Sequence, residues 1–141
     1  MEKDKIVAKN KEHLKILIET ETNNYDFECD LNHIDVSNIT DMSHIFMNSQ
    51  FNGDISHWNV SNVIKMIQMF KTSLFNKNIS KWDVSSVKQM PEIFSESKFN
   101  QDISSWNVSK VENMREMFYF SQFNGDISTW DVSNVTNMSR M

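Results

Sequence analysis

The feature that most constrains this chain is a sequence motif that returns every 24 residues. The segment SHWNVSNV at 56–63 recurs as SKWDVSSV at 80–87, SSWNVSKV at 104–111 and STWDVSNV at 128–135. A unit this short cannot bury its own large apolar side chains, so consecutive copies must stack and cover one another. The sequence therefore predicts an array of one kind of unit.

The register of the repeat extends from residue 27 to residue 141. Phe27 aligns without gaps on Phe51, and Ile34 stands where later copies carry Trp. The preceding segment does not follow the repeat, and Leu14, Leu17 and Ile18 share one face of a predicted helix with Asn10 as its N-cap. We divide the chain into a capping segment, 1–26, with its helix near 11–22, and an array, 27–141, whose repeats are 27–50, 51–74, 75–98, 99–122 and a partial copy, 123–141.

Each unit carries two apolar rhythms. In the second unit, Ile55, Trp58 and Val60 have a spacing typical of leucine-rich repeats, and the last two share one face of a predicted strand. Met66, Met69 and Phe70 follow at i, i+3 and i+4, which predicts a helix of about two turns. Its N-cap column consists of Asp41, Lys65, Gln89, Asn113 and Asn137, three of which are good caps.

Pro91 decides where these predicted helices begin. A helix from Ser85 would carry Pro91 in its interior, at a cost of about 3 kcal/mol. A helix from Met90 places Pro91 in the first turn, where no N–H is needed. We therefore predict an α/β repeat solenoid, a right-handed stack of short parallel strands and short helices like a leucine-rich repeat, with an N-terminal cap helix.

The columns of large apolar residues are the predicted core of this array. They consist of Trp58, Trp82, Trp106 and Trp130; Phe46, Phe70, Phe94 and Phe118; and Met66, Met90 and Met114. A neighbouring column alternates between acid and amide: Asp35, Asn59, Asp83, Asn107 and Asp131. Stacked carboxylates would repel, so the alternation either separates like charges or reflects neutral exchange in a turn that accepts both residues.

Composition excludes several classes of protein. Apolar residues make up 39% of the chain, and no apolar run approaches the ~18 residues of a membrane span. The charged N-terminus has no apolar h-region, so we expect no signal peptide, and the localisation stays unknown. The net charge of −5 is spread along the chain without a basic stripe, so we expect neither nucleic-acid binding nor membrane insertion.

The consensus W-[DN]-V-S-x-V-x-x-M-x-x-[MI]-F, with S-x-F-N-x-[DN]-I-S, resembles the BspA-like leucine-rich-repeat surface proteins of bacteria, in the branch whose repeats form a domain of unknown function. The segment KNKEHLKILI at 9–18 resembles the helix that often precedes such arrays. The resemblance implies a solenoid repeat protein, frequently on a cell surface, that functions in adhesion or protein binding. It implies no catalytic residues.

Candidate sites are few. His33 and His57 lie one period apart, with Cys29 nearby, but their column continues as Lys81, Ser105 and Thr129, so we expect no metal there. The oxygens of Asn52, Asp54 and Ser56 could hold Ca²⁺ between units, although turn hydrogen bonds are the simpler interpretation. We expect no catalytic residue, cofactor or metal.

Tyr119 and Phe120 interrupt two mostly polar columns and are the candidate contact point. We expect a non-catalytic interaction or adhesion module that meets a protein or a surface glycan. The alternatives are a truncated array without independent activity and, least favoured, an enzyme. The last unit stops inside its predicted helix, so we also expect self-association through an open C-terminal end.

Overall fold

A computed structural model describes residues 2–141. Strand β1 covers Ile6–Val7, helix α1 covers Lys11–Asn24, and strand β2 covers Ile34–Asp35. The side chain of Asn10 caps α1 by accepting the N–H of His13 at 2.8 Å. The two strands pair in parallel and form a two-stranded sheet.

Helix α1 covers the first repeat of the array. Leu14 and Ile18 are buried on its inner face and belong to one continuous apolar core with the repeats. Side-chain contacts join both ends of α1 to that repeat: Lys11 Nζ lies 3.4 Å from Asp41 Oδ2, and Glu21 Oε1 lies 3.5 Å from His33 Nε2. The segment before the repeats therefore closes one end of the core.

The predicted fold class is wrong. Residues 36–141 contain no helix and no strand, and their regular pairing is limited to isolated parallel bridges. The whole described chain has one helix of 14 residues and two strands of two residues, so it is not an alternation of strands and helices like a leucine-rich repeat. The repeats consist of turns instead.

Left-handed residues replace the predicted helices. In the first repeat His44 (φ 67°) and Asn48 (φ 57°) interrupt the segment, and the same two positions have positive φ in the next three repeats. Except at Phe120, their backbone N–H groups donate to the following repeat, as from His44 to Ile67 O at 2.9 Å, rather than along a helix. Inter-repeat hydrogen bonds thus satisfy the backbone and offset the cost of about 1–2 kcal/mol for each left-handed residue.

The predicted helix caps have a different role. Asp41, Asn113 and Asn137 accept the N–H two residues further on, at 2.8–3.1 Å, so they form Asx turns. Lys65 and Gln89 cannot do so. In those repeats the N–H of Ile67 donates to Ser43 Oγ at 3.2 Å, and Pro91 has no N–H to satisfy.

Apart from β2 in the first repeat, the predicted strands are also absent, because turns interrupt them. The N–H of Trp58 donates to Ile55 O at 3.1 Å, and that of Val63 donates to Val60 O at 2.9 Å. All four side chains are nevertheless buried. The L-x-x-L-x-L spacing therefore reports inward-facing residues of a turning chain rather than one face of a strand.

Each repeat forms one layer, and consecutive layers stack in register. We number the layers 1 to 5, for residues 27–50, 51–74, 75–98, 99–122 and 123–141. Backbone hydrogen bonds join each layer to the next, and the bridges run from Asp41 through Lys65, Gln89 and Asn113 to Asn137. An asparagine ladder adds further bonds, since the Oδ1 atoms of Asn52, Asn76 and Asn100 accept the N–H 24 residues on at 2.8–2.9 Å.

Aromatic rings fill the interior of the stack. Phe51, Phe75, Phe99 and Phe123 stack with centroids 6.2–6.3 Å apart, and a second column contains Phe46, Phe70, Phe94 and Phe118. The four Trp side chains are only 3–8% exposed. Each indole Nε1 donates to a backbone carbonyl of the preceding layer, as from Trp106 to Ile79 O at 3.1 Å. The Trp column therefore both fills the core and ties the layers together.

Burial declines in layer 5. Trp130 is buried, but Phe123, Ile127, Val132 and Val135 are only partly buried, unlike their equivalents in layers 2 to 4. Met138 is 41% exposed, whereas Met66, Met90 and Met114 are fully buried. Layer 5 is thus the least covered part of the array.

Candidate functional site

The candidate aromatic contact, Tyr119 and Phe120, lies in the segment of layer 4 that contains its left-handed residues. The two rings meet edge to face with centroids 4.4 Å apart. Tyr119 is partly buried, whereas Phe120 is 78% exposed and adopts the left-handed conformation, φ 49°. A large apolar side chain held outward by the backbone is available for contact, and its role stays a prediction.

His33 and His57, the two histidines considered as metal ligands, lie in different environments. His33 is largely buried beside α1 with its Nε2 3.5 Å from Glu21, while His57 is exposed. The one-period spacing would place both side chains on one exposed edge, but the N-terminal segment covers His33 and only His57 is exposed. Burial raises the pKa of the Cys29 thiol, which disfavours a reactive thiolate.

Acidic side chains of the array serve the turns. Within residues 2–141, no group of three or more His, Cys, Asp or Glu residues could hold a metal ion. Asp54 Oδ1 accepts the N–H of Ser56 at 2.8 Å, and Asn52 belongs to the ladder described above. The absence of metal stays a prediction that chelation tests.

The alternating Asp/Asn column makes the same turn in every layer. Asp35 and Asn59 each accept the N–H two residues on, at 2.9 and 3.1 Å. Hydrogen bonds from Ser37, together with Lys5, lower the pKa of Asp35 to about 2. The turn itself accepts acid or amide, as the neutral-exchange explanation requires.

Asp102 and Asp126 are carboxylates in adjacent layers of another column. Hydrogen bonds from Ser104 lower the pKa of Asp102, and the Asp126 carboxylate in the next layer opposes that shift. No such opposition affects Asp83, whose adjacent layers carry Asn in its column. Alternation therefore separates the carboxylates, as the charge-separation explanation requires, and both explanations stay open.

An ion cluster surrounds the buried side chain of Glu92, which occupies one of the left-handed positions of layer 3. Its carboxylate contacts Lys71 Nζ, Gln68 Nε2 at 3.0 Å and Arg115 Nη2 at 2.5 Å. Burial raises the pKa of Glu92, but Lys71, Gln68 and Arg115 more than offset it, so the pKa lies below its usual value. Every group in this cluster is occupied by a neighbour, which indicates a structural role.

A shallow basic groove of about 520 Å³ crosses layers 1 to 4. We call it the lysine groove. Among the residues that line it are Asn38, Thr40, Asn62, Ile64, Lys88 and Lys110. Its lining contains no acidic residue, although the chain as a whole carries a net charge of −5.

The lysine groove was not foreseen from the sequence. Its lysines stand at different positions of the repeat, Lys88 at the fourteenth and Lys110 at the twelfth, so no column reveals them. The available signal was the variability of two exposed columns in an otherwise regular repeat. The groove and the Tyr119–Phe120 pair belong to different parts of the repeat, and they do not form one site.

No helix described by the structure is long and apolar enough to cross a membrane. Comparison with curated proteins and with solved structures finds no match. A family model, described as Mycoplasma protein of unknown function, DUF285, matches residues 17–120 and again residues 71–141. Since these matches span most of the sequence, the chain belongs to that family of proteins of unknown function.

Proposed function

We propose that this chain is a non-catalytic, adhesion-type interaction module whose exposed edges contact a partner protein. The supporting observation is how the positions of the repeat divide. Buried columns keep Phe, Trp, Met or Val in successive layers, whereas one exposed column reads Thr40, Ile64, Lys88, Glu112 and Thr136. A constant interior with variable exposed positions supplies a rigid surface whose chemistry differs along its length.

The repeat consensus supports a relationship to BspA-like surface proteins, and we extend the proposal to a location on a cell surface. The support is the W-[DN]-V-S motif in four layers and the family match, whose description names a bacterial genus. A convergent set of nucleophile, base and oxyanion donors would instead support an enzyme. The exposed columns offer variable single side chains rather than such a set.

The test is saturable binding by the folded chain. We would immobilise it and measure capture from a bacterial surface extract, with competition by free chain, before and after the extract is treated with protease or glycosidase. Saturable capture that protease abolishes supports the proposal, and loss only after glycosidase treatment would replace the protein partner by a glycan. Capture no greater than that by heat-unfolded chain would refute the proposal.

A further inference from the structure

We infer that the lysine groove binds a short acidic segment of a partner protein, in which carboxylate side chains flank an apolar one. This inference rests on the proposed function and assigns that function a site and a partner chemistry. It is carried by three observations: the charge of the groove, its unbridged backbone and one exposed apolar side chain.

The first observation is unpaired positive charge. Lys88 and Lys110 are exposed and form no ion pair within residues 2–141. Lys71 and Lys77, in other columns, contact Glu92 and Glu28 respectively. The groove lysines thus have ammonium groups available for an external carboxylate.

Two acids lie near the groove without neutralising it. Hydrogen bonds from Ser85 lower the pKa of Asp83, and the positive charge of Lys110 lowers it to a smaller extent, so that carboxylate lies within the field of Lys110. The Glu112 carboxylate accepts a bond from Gln89 Nε2 at 3.3 Å. Neither acid lines the groove, and neither forms an ion pair with its lysines.

The second observation is a missing side-chain bridge between layers. Asn62 Nδ2 donates to Ser37 O at 2.8 Å, and Asn134 Nδ2 donates to Ser109 O at 2.6 Å. Ser86 and Lys110 replace this Asn in layers 3 and 4.

As a result, the carbonyls of Ser61 and Ser85 receive no hydrogen bond from the described chain. They adjoin the groove residues Asn62 and Ser86. Backbone N–H groups of an extended peptide are suitable donors for two such carbonyls in successive layers.

The third observation is Ile64, which lines the groove and is 41% exposed. It offers an apolar contact between the polar side chains. A peptide with carboxylates around an apolar residue would use the lysines, the carbonyls and Ile64 together. A long uniform polyanion would make no use of Ile64, and its higher negative charge would be repelled more strongly than a short peptide by the overall charge of −5.

The experiment measures fluorescence anisotropy of a labelled peptide of alternating Glu and Val on addition of the full chain at low salt. A Lys–Val peptide and hexaglutamate are comparison probes, and polygalacturonate is the competing anionic glycan. Lys88→Glu/Lys110→Glu is the test variant, and Lys81→Glu/Lys98→Glu is matched in charge at exposed, unpaired lysines outside the groove. Thermal melts check that both variants fold, and Lys88→Gln/Lys110→Gln serves as a milder second test.

We expect the Glu–Val peptide to bind more tightly than either comparison peptide. Reversing both groove lysines should weaken binding by about tenfold, and raising salt should weaken it further. The matched control should bind within about twofold of the unmodified chain, because it changes net charge but not the groove.

The inference is overturned if the unmodified chain does not bind this peptide, if both variants lose affinity equally, or if polygalacturonate binds more tightly than the peptide. If Lys88→Glu/Lys110→Glu captures a protein saturably and as strongly as the unmodified chain does, the groove is not the binding site, and the proposed function still stands. Absence of any saturable capture would refute the proposed function itself.

Discussion

Replacing Trp106 by Ala should destabilise the chain severely, because this side chain serves the core and the layer contact together. Its ring is 3% exposed and lies 6.1 Å from the Phe94 ring, and its Nε1 donates to Ile79 O at 3.1 Å. Truncation of a buried aromatic costs about 3–5 kcal/mol, including the cavity that it leaves. The free energy of unfolding of a domain is roughly 5–15 kcal/mol, so this loss is a large share of it.

Trp106→Phe separates the two contributions. Phe keeps much of the apolar volume but leaves Ile79 O, a buried acceptor, without its donor, which costs about 1–3 kcal/mol. Trp130→Ala should fall at the lower end of the range for Trp106→Ala, because Phe118 and Val132 around it are only partly buried and can relax.

The assay is equilibrium unfolding in urea, followed by far-UV circular dichroism and by Trp fluorescence. Ile16→Ala is the control, since Ile16 is 59% exposed and should change the free energy of unfolding by no more than about 0.5 kcal/mol. A Trp106→Ala midpoint equal to that of this control would refute the reasoning, because the Trp column would then contribute nothing to the stack.

Four further predictions concern acid, ageing, metal and layer 5. The pKa of Asp35 in the folded chain is about 2, below the usual 3.8. The contribution of this carboxylate to the free energy of unfolding is therefore fully present above pH 3.8 and is lost as pH falls towards 2. Asp35→Asn should flatten that part of a curve of stability against pH measured in urea. Asn124 is exposed, precedes a Gly and accepts no hydrogen bond at Oδ1 within the described chain, whereas the side chain of Asn52 is held by the asparagine ladder. After mildly alkaline incubation, peptide mass spectrometry should therefore find deamidation at Asn124 and much less at Asn52. EDTA should leave the melting curve unchanged, and a fall of several degrees would revive a metal site. Residues 123–141 should exchange amide protons fastest within the array, and the chain should self-associate as concentration rises in sedimentation; strict monomers with strong protection there would contradict both expectations.

The layered stack and its interior could be predicted from the sequence, because an exact period brings equivalent residues together whatever the local backbone does. Phe70 and Trp82 recur in fixed columns, and their rings lie 6.2 Å apart in the core. The period therefore predicts neighbours between layers well. It says less about the backbone inside one layer.

The local structure could not be predicted because the same spacing fits two backbones. Met66, Met69 and Phe70 face inward from a helix or from a run of turns with left-handed residues. The left-handed positions carry Gln68 and Thr72, not the Gly that usually signals them. The deciding contribution, N–H donation to the next layer, depends on stacking and leaves no local sequence signal.

The two candidate sites also differ in how far the sequence alone reveals them. Tyr119 and Phe120 could be found because they break their own columns. The lysine groove required knowledge of which positions adjoin across three layers, since Ile64, Lys88 and Lys110 come from different repeats and from more than one column. Their grouping becomes visible only once the layers are stacked.

The central claim is that the repeats stack as hydrogen-bonded turns without helices, and solution NMR tests it most directly. Backbone chemical shifts should show one helical run, at Lys11–Asn24, and the Trp106 indole N–H should show slow exchange and contacts to layer 3 at Ile79. Helical shifts at 66–71, 90–95 and 114–119, with backbone hydrogen bonds within each segment, would contradict the account.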